Sequence, residues 1–503
     1  MGTDISGFPA ITGDRPLKNG FVHKNRLNIK GIFERFAGRA AIVQHGKNPV
    51  VSTYADIARQ IAHLGGALKG SGAVPGTRLA VYAENDPLHF LLFFLSWIEG
   101  YVFVPLNRRV PFDVAVKDAA PDVVIVHDKE CETGGMIVTT AESLFRNFKP
   151  EMIALPDFAA LDLDRECSIV FTSGSTGKPR GVVHTIANHV YSGLGVISFF
   201  GLKPGDRWLV SLPLNHVGGL SIFTRTFLSG GTVVFPETRQ GVTAAIKDRA
   251  ADYISVVPTQ LIRYMTVEPQ ADSFIDALLS MRAILMGGAP APGWVIDRAL
   301  ALSLPIVPSY GSTESCSLVT AVVPGSAATA YKTAGKVLPH RQLRRDSDGR
   351  IMLAGKTRFA HYLEDGKKCY PFDDGWFKTS DLGEIDENGN WIILGRADEI
   401  FISGGENINP LEIEKRLMEI TDIDTAVVVP VPHPEFGLVP WAFVSSSKDL
   451  HLPDVTTLLK KTLPPFKIPK KILFADPKEG AVGIKPDRAY FRRKAAIMAA
   501  GDY

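Results

Sequence analysis

The chain has 503 residues, of which 45% are hydrophobic and 21% charged, and a net charge of +2. At roughly 100–200 residues per domain this length calls for several domains or subdomains, and the composition is that of a globular protein. The near-neutral charge, without a long Lys or Arg block, argues against a nucleic-acid surface, and four cysteines with no C-x-x-C pair exclude a disulfide scaffold or a thiolate metal cage.

Cys131, Cys167, Cys316 and Cys369 therefore read as thiols of a reducing, cytoplasmic setting. The first twenty residues contain no apolar run of the secretory kind. Met1-Gly2 with Ser6 matches a loose acylation pattern, but no polybasic patch or neighbouring cysteine adds the second signal that stable anchoring needs. Thr53–Gly70 predicts an amphipathic helix, with Ile57, Ile61, Leu64 and Leu68 three and four apart. "HFLLFFLSWIEGYVFV", residues 89–104, is the most apolar run. Glu99 and Gly100 interrupt it, and a membrane span needs ~20 apolar residues, so it predicts a buried helix and then a core strand ending at Pro105.

"RLAVYAEN", "VFVPLN", "DVVIVHD" and "RWLVSLPL" predict strands, rich in Val and bounded by Pro, Gly, Asn or Asp. Their alternation with helical stretches between about residues 40 and 330 predicts α/β layers with a largely parallel sheet. After about residue 330 the character changes to short strands with hairpin breaks: "GRIMLAG", "WFKTSDLGEID", "DENGN" and "WIILGR". Beyond Arg396 lies a compact α+β segment: the helix "NPLEIEKRLMEI", the strands "TAVVVPV" and "PWAFVSS", and a final helix. Asn409 suits the N-cap, Pro410 the first helical position and Glu412 the third. The expected boundary falls near Gly395–Asp398, giving an N-terminal part of residues 1–395 and a small C-terminal part of residues 396–503.

"FTSGSTGKPRG", residues 171–181, lies between the predicted strands "CSIVFTS" and "GVVHT". Its glycines let backbone N–H groups converge, its hydroxyls donate, and Lys178 adds charge, which is the composition of a phosphate cradle. It is not a Walker A loop, which needs G-x-x-x-x-G-K-[ST] opening into a helix; here Gly177-Lys178-Pro179 leads into a strand. On composition alone an ordinary Ser/Gly hairpin stays open.

The stretch "SIVFTSGSTGKPRGVVHT" resembles the signature loop of the adenylate-forming superfamily: acyl-CoA synthetases, peptide-synthetase adenylation domains and luciferases. "PSYGSTES" at 308–315, "WFKTSDLGEID" at 376–386 and "GRADEIFISGGENINPLEIE" at 395–414 resemble further segments of that family, in the same order. The likeness spans roughly residues 30 to 500. It implies a large layered α/β N-terminal portion, a small mobile α+β C-terminal domain, and an AMP-forming acid–thiol ligase using ATP, Mg2+ and coenzyme A. A carboxylate attacks the α-phosphorus of ATP and releases pyrophosphate; a thiol then attacks the acyl carbon and expels AMP. The first step brings anions together. At ~4 Å and an effective dielectric of about 20 each unit-charge pair repels by roughly 4 kcal/mol, so the site must supply cations and donors.

By the resemblance, Thr172, Ser173, Gly174, Ser175, Thr176, Gly177 and Lys178 hold the outgoing phosphates. Thr313 donates to the α-phosphate, and Glu314 is the magnesium carboxylate. Ser309, Tyr310 and Gly311 belong to the adenine segment, with Gly287 and Gly288 giving the base room against backbone. Asp381, aided by Arg396, takes the ribose hydroxyls; Asp398 is the hinge; Ser403, Gly404, Gly405 and Glu406 form the CoA-side loop. Lys485, in "AVGIKPDRAYF", corresponds to the lysine that spans the incoming carboxylate and the α-phosphate, although Ile484 stands where that pattern has glycine.

The acid is addressed by "SLPLNHVGGLSIFTRTF". His216 matches a histidine flanking the acyl and thiol channels of CoA ligases. Arg225 lies in a largely apolar run with Leu220, Ile222, Phe223 and Phe227. A buried arginine needs an anion, either a protein carboxylate or a second carboxylate on the substrate, with Ser221 and Thr259 as accessory polar groups. A plain fatty-acid pocket would have little use for such a group; a dicarboxylic acid is what the resemblance of this passage to one group of these ligases implies. Asn215 and Ser380 depart from the usual aromatic and glycine at their positions. A CoA ligase for another dicarboxylic, aryl or fatty acid stays open, as does a stand-alone adenylation enzyme loading a carrier protein. The expected partners are small molecules, with no nucleic acid and no membrane span; oligomeric state, including a homodimer, is left open.

Overall fold

A computed structural model describes residues 20–126, 136–150, 153–173, 179–238, 241–266, 271–420, 423–446, 452–476, 479, 481–482 and 485–501. Local sequence chemistry accounts for the elements it shows. The helix Tyr54–Gly70 starts at Thr53, whose hydroxyl accepts from the Asp56 N–H while Asp56 reaches back to the Thr53 N–H, a reciprocal cap. Ile57, Ile61, Leu64 and Leu68 are fully buried along its inner face. The apolar run forms the helix Pro87–Glu99, capped by Asp86 and ended by Gly100 at φ +78°, and then the strand Val102–Pro105. Among the described residues no helix is long and apolar enough to cross a membrane.

One expected strand is shorter than its apolar run. In "RWLVSLPL" the strand ends at Leu209, the Val210 N–H makes a last bond to the Val234 carbonyl at 2.9 Å, and Pro213 further on has no N–H to offer a ladder. The remainder crosses to the helix Val217–Ser229.

Among the described residues, two large sheets dominate. An eight-stranded sheet runs in the order Lys367–Cys369, His361–Glu364, Pro179–Thr185, Glu166–Ser173, Val102–Pro105, Arg78–Tyr82, Val123–Val126, Ile137–Thr140. From Glu166–Ser173 onward it is parallel; the first three strands attach antiparallel. A nine-stranded sheet is parallel from Ile306–Ser312 through Ala40–His45, with antiparallel strands at both edges. The chain weaves between them: Ala40–His45 and its hairpin partner join the nine-stranded sheet, the six strands Arg78–Tyr82, Val102–Pro105, Val123–Val126, Ile137–Thr140, Glu166–Ser173 and Pro179–Thr185 join the eight-stranded one, and His361–Glu364 returns to it after the nine-stranded sheet is complete. Between them lies an aromatic core in which Phe90, Phe93, Phe94, Trp97, Phe223 and Phe227 pack in tilted and edge-to-face pairs. A third, five-stranded antiparallel sheet covers residues Arg341 to Arg396.

The segment after Arg396 is α+β, as expected. The helix Pro410–Met418 is capped by Asn409, whose side chain accepts from the Leu411 N–H at 3.1 Å and donates to the Leu394 carbonyl at 2.8 Å. Glu412 does not close a capping box; Lys467 takes both of its carboxylate oxygens, at 2.6 and 2.8 Å. The strands Thr425–His433 and Gly437–Ser445 form a hairpin, and Arg488–Gly501 is the final helix. Two hydrophobic clusters here draw every member from residue 401 onward.

Candidate active site

The strand Ile306–Ser312 leaves the nine-stranded sheet at its carboxyl end and turns back as Ser317–Ala321. In open α/β sheets this end is where ligands gather. The turn carries Thr313 and Glu314. Its shape is demanding: Cys316 and Ser317 sit at φ +53° and +93°, unusual for residues with a Cβ. A methyl group at Gly311 would lie 2.1 Å from the Ser317 carbonyl oxygen. Gly311→Ala must therefore push the hairpin apart, and an overpacking cost of about 1–3 kcal/mol is expected, measured as a lowered unfolding midpoint.

The turn is held from beneath and beside. His184 Nε2 lies 2.7 Å from the Thr313 carbonyl oxygen and donates to it. Burial pulls this imidazole down to about 4 against the opposing pull of that carbonyl, so it is neutral at ordinary pH. His189 lies between Ser168 Oγ, at 2.8 Å, and Cys316 Sγ, at 3.3 Å. The Phe359 N–H donates to the Glu314 carbonyl, and the Tyr362 hydroxyl donates to Glu314 Oε1 at 2.8 Å.

Tyr310 points its hydroxyl at Asp381 Oδ2, 2.6 Å away. Burial first, and then the Asp381 charge, push this phenol well above its ordinary range, which keeps it a donor. Arg396 lies 3.4 Å from Asp381 Oδ1 and grips Asp398 with two nitrogens, at 2.8 and 3.0 Å. Burial would raise the Asp398 carboxyl, but the Arg396 hydrogen bonds and charge, with help from Ser380, hold it below the usual range. Tyr310, Asp381, Arg396 and Asp398, spread over 89 positions of sequence, thus form one connected polar chain. On the opposite side, Gly287 and Gly288 follow the strand Ala283–Met286; a Cβ at Gly287 would meet Ser309 Oγ at 2.7 Å, and Gly288 sits at φ +82°. Ser309 Oγ itself bonds the Met286 carbonyl at 2.9 Å.

Thr172 is paired with Arg180 across the hairpin that carries the Gly-rich loop. Gly174, Ser175, Thr176, Gly177 and Lys178, the Ser173 side chain, Cys131 and Ile484 lie outside the described residues. So does the Lys485 side chain; its backbone forms the two-residue strand Lys485–Pro486 against Ala481–Val482. Three residues on, Arg488 binds both carboxylate oxygens of Glu414, and reaches Glu399 at 3.2 Å and the Val428 carbonyl at 2.6 Å. Ser403 and Glu406 face each other across a two-residue turn, Gly404 and Gly405, at φ +56° and +89°, the tight turn that two such values favour.

His216 is the N-cap of the helix Val217–Ser229, its carbonyl accepting from Gly219 and Leu220. Asn215 beside it is half-buried. Arg225, two turns on, is 1% exposed. Its guanidinium lies 4.3 Å over the Trp208 ring, bonds the Ser221 hydroxyl, and reaches the Ser221 carbonyl at 3.1 Å. Ser221 Oγ in turn meets Ser317 Oγ at 3.0 Å, which links Arg225 to the turn carrying Glu314. Arg225 Nη1 has no hydrogen-bond partner among the described residues, and none of their carboxylates pairs with this charge. Burial, and then the nearby Arg341, push the guanidinium down to about 9. Thr259, at the start of the helix Pro258–Thr266, is exposed and is bonded to neither Arg225 nor Ser221.

Tyr362 and His184 are the partners that sequence reasoning missed. Each bonds a residue more than 45 positions away; "GVVHT" read simply as a strand, and Tyr362 lies in none of the motifs.

The donor set fits a magnesium–nucleotide. Mg2+ keeps several waters and takes one or two carboxylates plus phosphate oxygens. Glu314 offers one carboxylate, and among the described residues no group of three or more His, Cys, Asp or Glu forms a protein-only cage. When bound, the ion neutralises phosphate charge.

Comparison with known proteins gives the family. Residues 32–356 match the family model "AMP-binding enzyme", and residues 412–480 match "AMP-binding enzyme C-terminal domain". The chain belongs to the AMP-binding enzyme family, and it is an α/β protein with a large N-terminal and a smaller C-terminal portion. It is 32% identical over 443 residues to the 2-succinylbenzoate–CoA ligase of Listeria monocytogenes, covering 87% of this chain and 92% of that one. The o-succinylbenzoate CoA synthetase of Bacillus subtilis, solved with the acyl-adenylate intermediate, superposes with a TM-score of 0.78 at 26% identity, covering 89% of this chain and 94% of that one. The same enzyme solved with ATP and magnesium gives 0.77 at 26% identity, covering 89% and 95%.

Proposed function

We propose that the chain is an ATP-dependent 2-succinylbenzoate–CoA ligase, converting 2-succinylbenzoate, ATP and CoA to 2-succinylbenzoyl-CoA, AMP and pyrophosphate through an acyl-adenylate. Arg225 carries the substrate assignment. Its buried guanidinium has no carboxylate partner among the described residues, which supports a second carboxylate on the acid over a protein carboxylate as its anion. The stretch around Arg225, with "ILMGGAPAP" and "FISGGENINP", also resembles the ligases for this acid. The succinyl carboxylate is activated and the ring carboxylate stays behind for Arg225.

In this reading the Gly-rich loop holds the outgoing phosphates, Thr313 donates to the α-phosphate and Glu314 holds magnesium. Tyr310 lies along the adenine, while Asp381 takes the ribose hydroxyls with Arg396 behind it. Lys485 bridges the acid's carboxylate and the α-phosphate. His216 flanks the channel through which the thiol arrives, and Ser403–Glu406 contacts CoA. The boundary is placed between residues 395 and 396, with Asp398 as the hinge on which the smaller, mobile domain turns between the two half-reactions. The hydrophobic clusters that begin at residue 401 support this division. A cytoplasmic location belongs to the same reading.

A panel of acids tests it: 2-succinylbenzoate, small dicarboxylates, aryl acids and fatty acids, each with and without CoA. Pyrophosphate release is expected with 2-succinylbenzoate, and AMP and thioester only when CoA is added. Release with fatty acids alone would overturn the assignment of Arg225.

A further inference from the structure

Glu314 and Tyr362 come from different sheets. Glu314 lies on the turn of the nine-stranded sheet, and Tyr362 on the strand His361–Glu364 of the eight-stranded one. The 2.8 Å bond from the Tyr362 hydroxyl to Glu314 Oε1 therefore crosses the junction between them. The phenol is well anchored. It is 6% exposed, with Phe359 at 4.6 Å and Phe377 at 6.0 Å between ring centroids. The Arg180 guanidinium lies 5.6 Å over its ring, and Arg180 pairs with Glu364 at 3.2 Å. Tyr362 also stands opposite Val182 on the strand that leaves the Gly-rich loop. The same short segment fixes the Glu314 backbone, through the Phe359 N–H.

A glutamate has several rotamers, and freezing one in advance removes an ordering cost from ligand binding. The chemistry of the donor matters. A lysine or arginine at this place would fix the carboxylate but cancel its charge and repel a cation. A phenol fixes it and leaves the charge intact.

We infer that Tyr362 is a positioning residue for the adenylation half-reaction: its hydroxyl holds Glu314 Oε1 and turns Oε2 toward the cation that accompanies ATP. This rests on the assignment of Glu314 as the magnesium carboxylate. Among the described residues, Oε1 alone of the two oxygens receives a side-chain donor. The ring packing and the bond are separable, because Tyr362→Phe keeps the first and removes the second.

The experiment measures ATP binding to the full chain by equilibrium dialysis across a magnesium titration, beside the rates of the two half-reactions. In Tyr362→Phe the magnesium needed for half-maximal ATP binding is expected to rise about tenfold, and kcat for pyrophosphate release to fall about tenfold, the size of one lost charge-assisted bond. KM for the acid and thioester formation from supplied acyl-adenylate should stay within about twofold. In a Glu314→Ala background, adding Tyr362→Phe should change nothing further. An unchanged magnesium titration in Tyr362→Phe, or an equal loss in both backgrounds, overturns the inference while the role of Glu314 stands. If Glu314→Ala itself leaves the magnesium titration unchanged, the assignment of Glu314 falls and the inference with it.

Discussion

Replacing Lys485 with alanine is expected to abolish acyl-adenylate formation and largely spare thioester formation from supplied acyl-adenylate. The reason lies in the charge balance of the two steps. In the first, a carboxylate must approach a phosphate, and a cation between them removes a repulsion of several kcal/mol. In the second, a thiolate leaves that meeting of anions behind and attacks a neutral acyl carbon. Loss of one preplaced group that meets developing charge costs on the order of 10²–10³ in rate. Pyrophosphate release should fall by at least that factor, with CoA-dependent AMP release from added acyl-adenylate changing far less. Arg488, three residues along, is clamped to Glu414, Glu399 and the Val428 carbonyl, so the alanine should leave the start of the final helix in place. Undiminished adenylation would remove Lys485 from the mechanism, and equal loss of both half-reactions would point to a folding defect.

Arg225→Met should separate acids by whether they carry a second carboxylate. The guanidinium is buried on Trp208, near a second arginine, and bonded only to Ser221 among the described residues. Removing a charged hydrogen-bond partner costs about 1.5–3 kcal/mol, or roughly 10- to 150-fold in kcat/KM for 2-succinylbenzoate. For 4-oxo-4-phenylbutanoate, the same acid without the ring carboxylate, the change should stay under about threefold. The thermal midpoint should hold or rise, because an unmatched buried charge is exchanged for an apolar side chain of similar length. A uniform loss across both acids would mean that Arg225 serves the fold and not the substrate.

Much of this architecture could be read locally. The reciprocal cap at Thr53 and Asp56, the apolar spacing of Ile57 to Leu68, and Asn409-Pro410 each announce an element within a few residues. The candidate residues of the chemistry were also legible, because Gly174–Lys178, Glu314 and Lys485 sit in motifs that follow one another in the expected order. What could not be read was which distant residues meet. Arg341 lies 116 positions from Arg225, yet its charge acts on that guanidinium. Tyr362 lies 48 positions from Glu314 and shares no motif with it. The left-handed backbone at Cys316 and Ser317 has no signal in their side chains; it accompanies the close approach of the Ser317 carbonyl to Gly311. Glu412 shows the opposite error, a local rule for capping overruled by Lys467, 55 residues on.

The order in which strands enter the two large sheets bears on biosynthesis. The strand Pro179–Thr185 receives its outer neighbour, His361–Glu364, only after some 175 further residues have been made, including most of the other sheet. Until then a growing chain on the ribosome displays an unpaired hydrogen-bonding ridge beside its Gly-rich segment, open to association with other nascent chains. Pairings so far apart also close slowly. The seam that Tyr362 fastens is therefore among the last parts of this molecule to mature, and chaperone protection matters most between those two moments of translation.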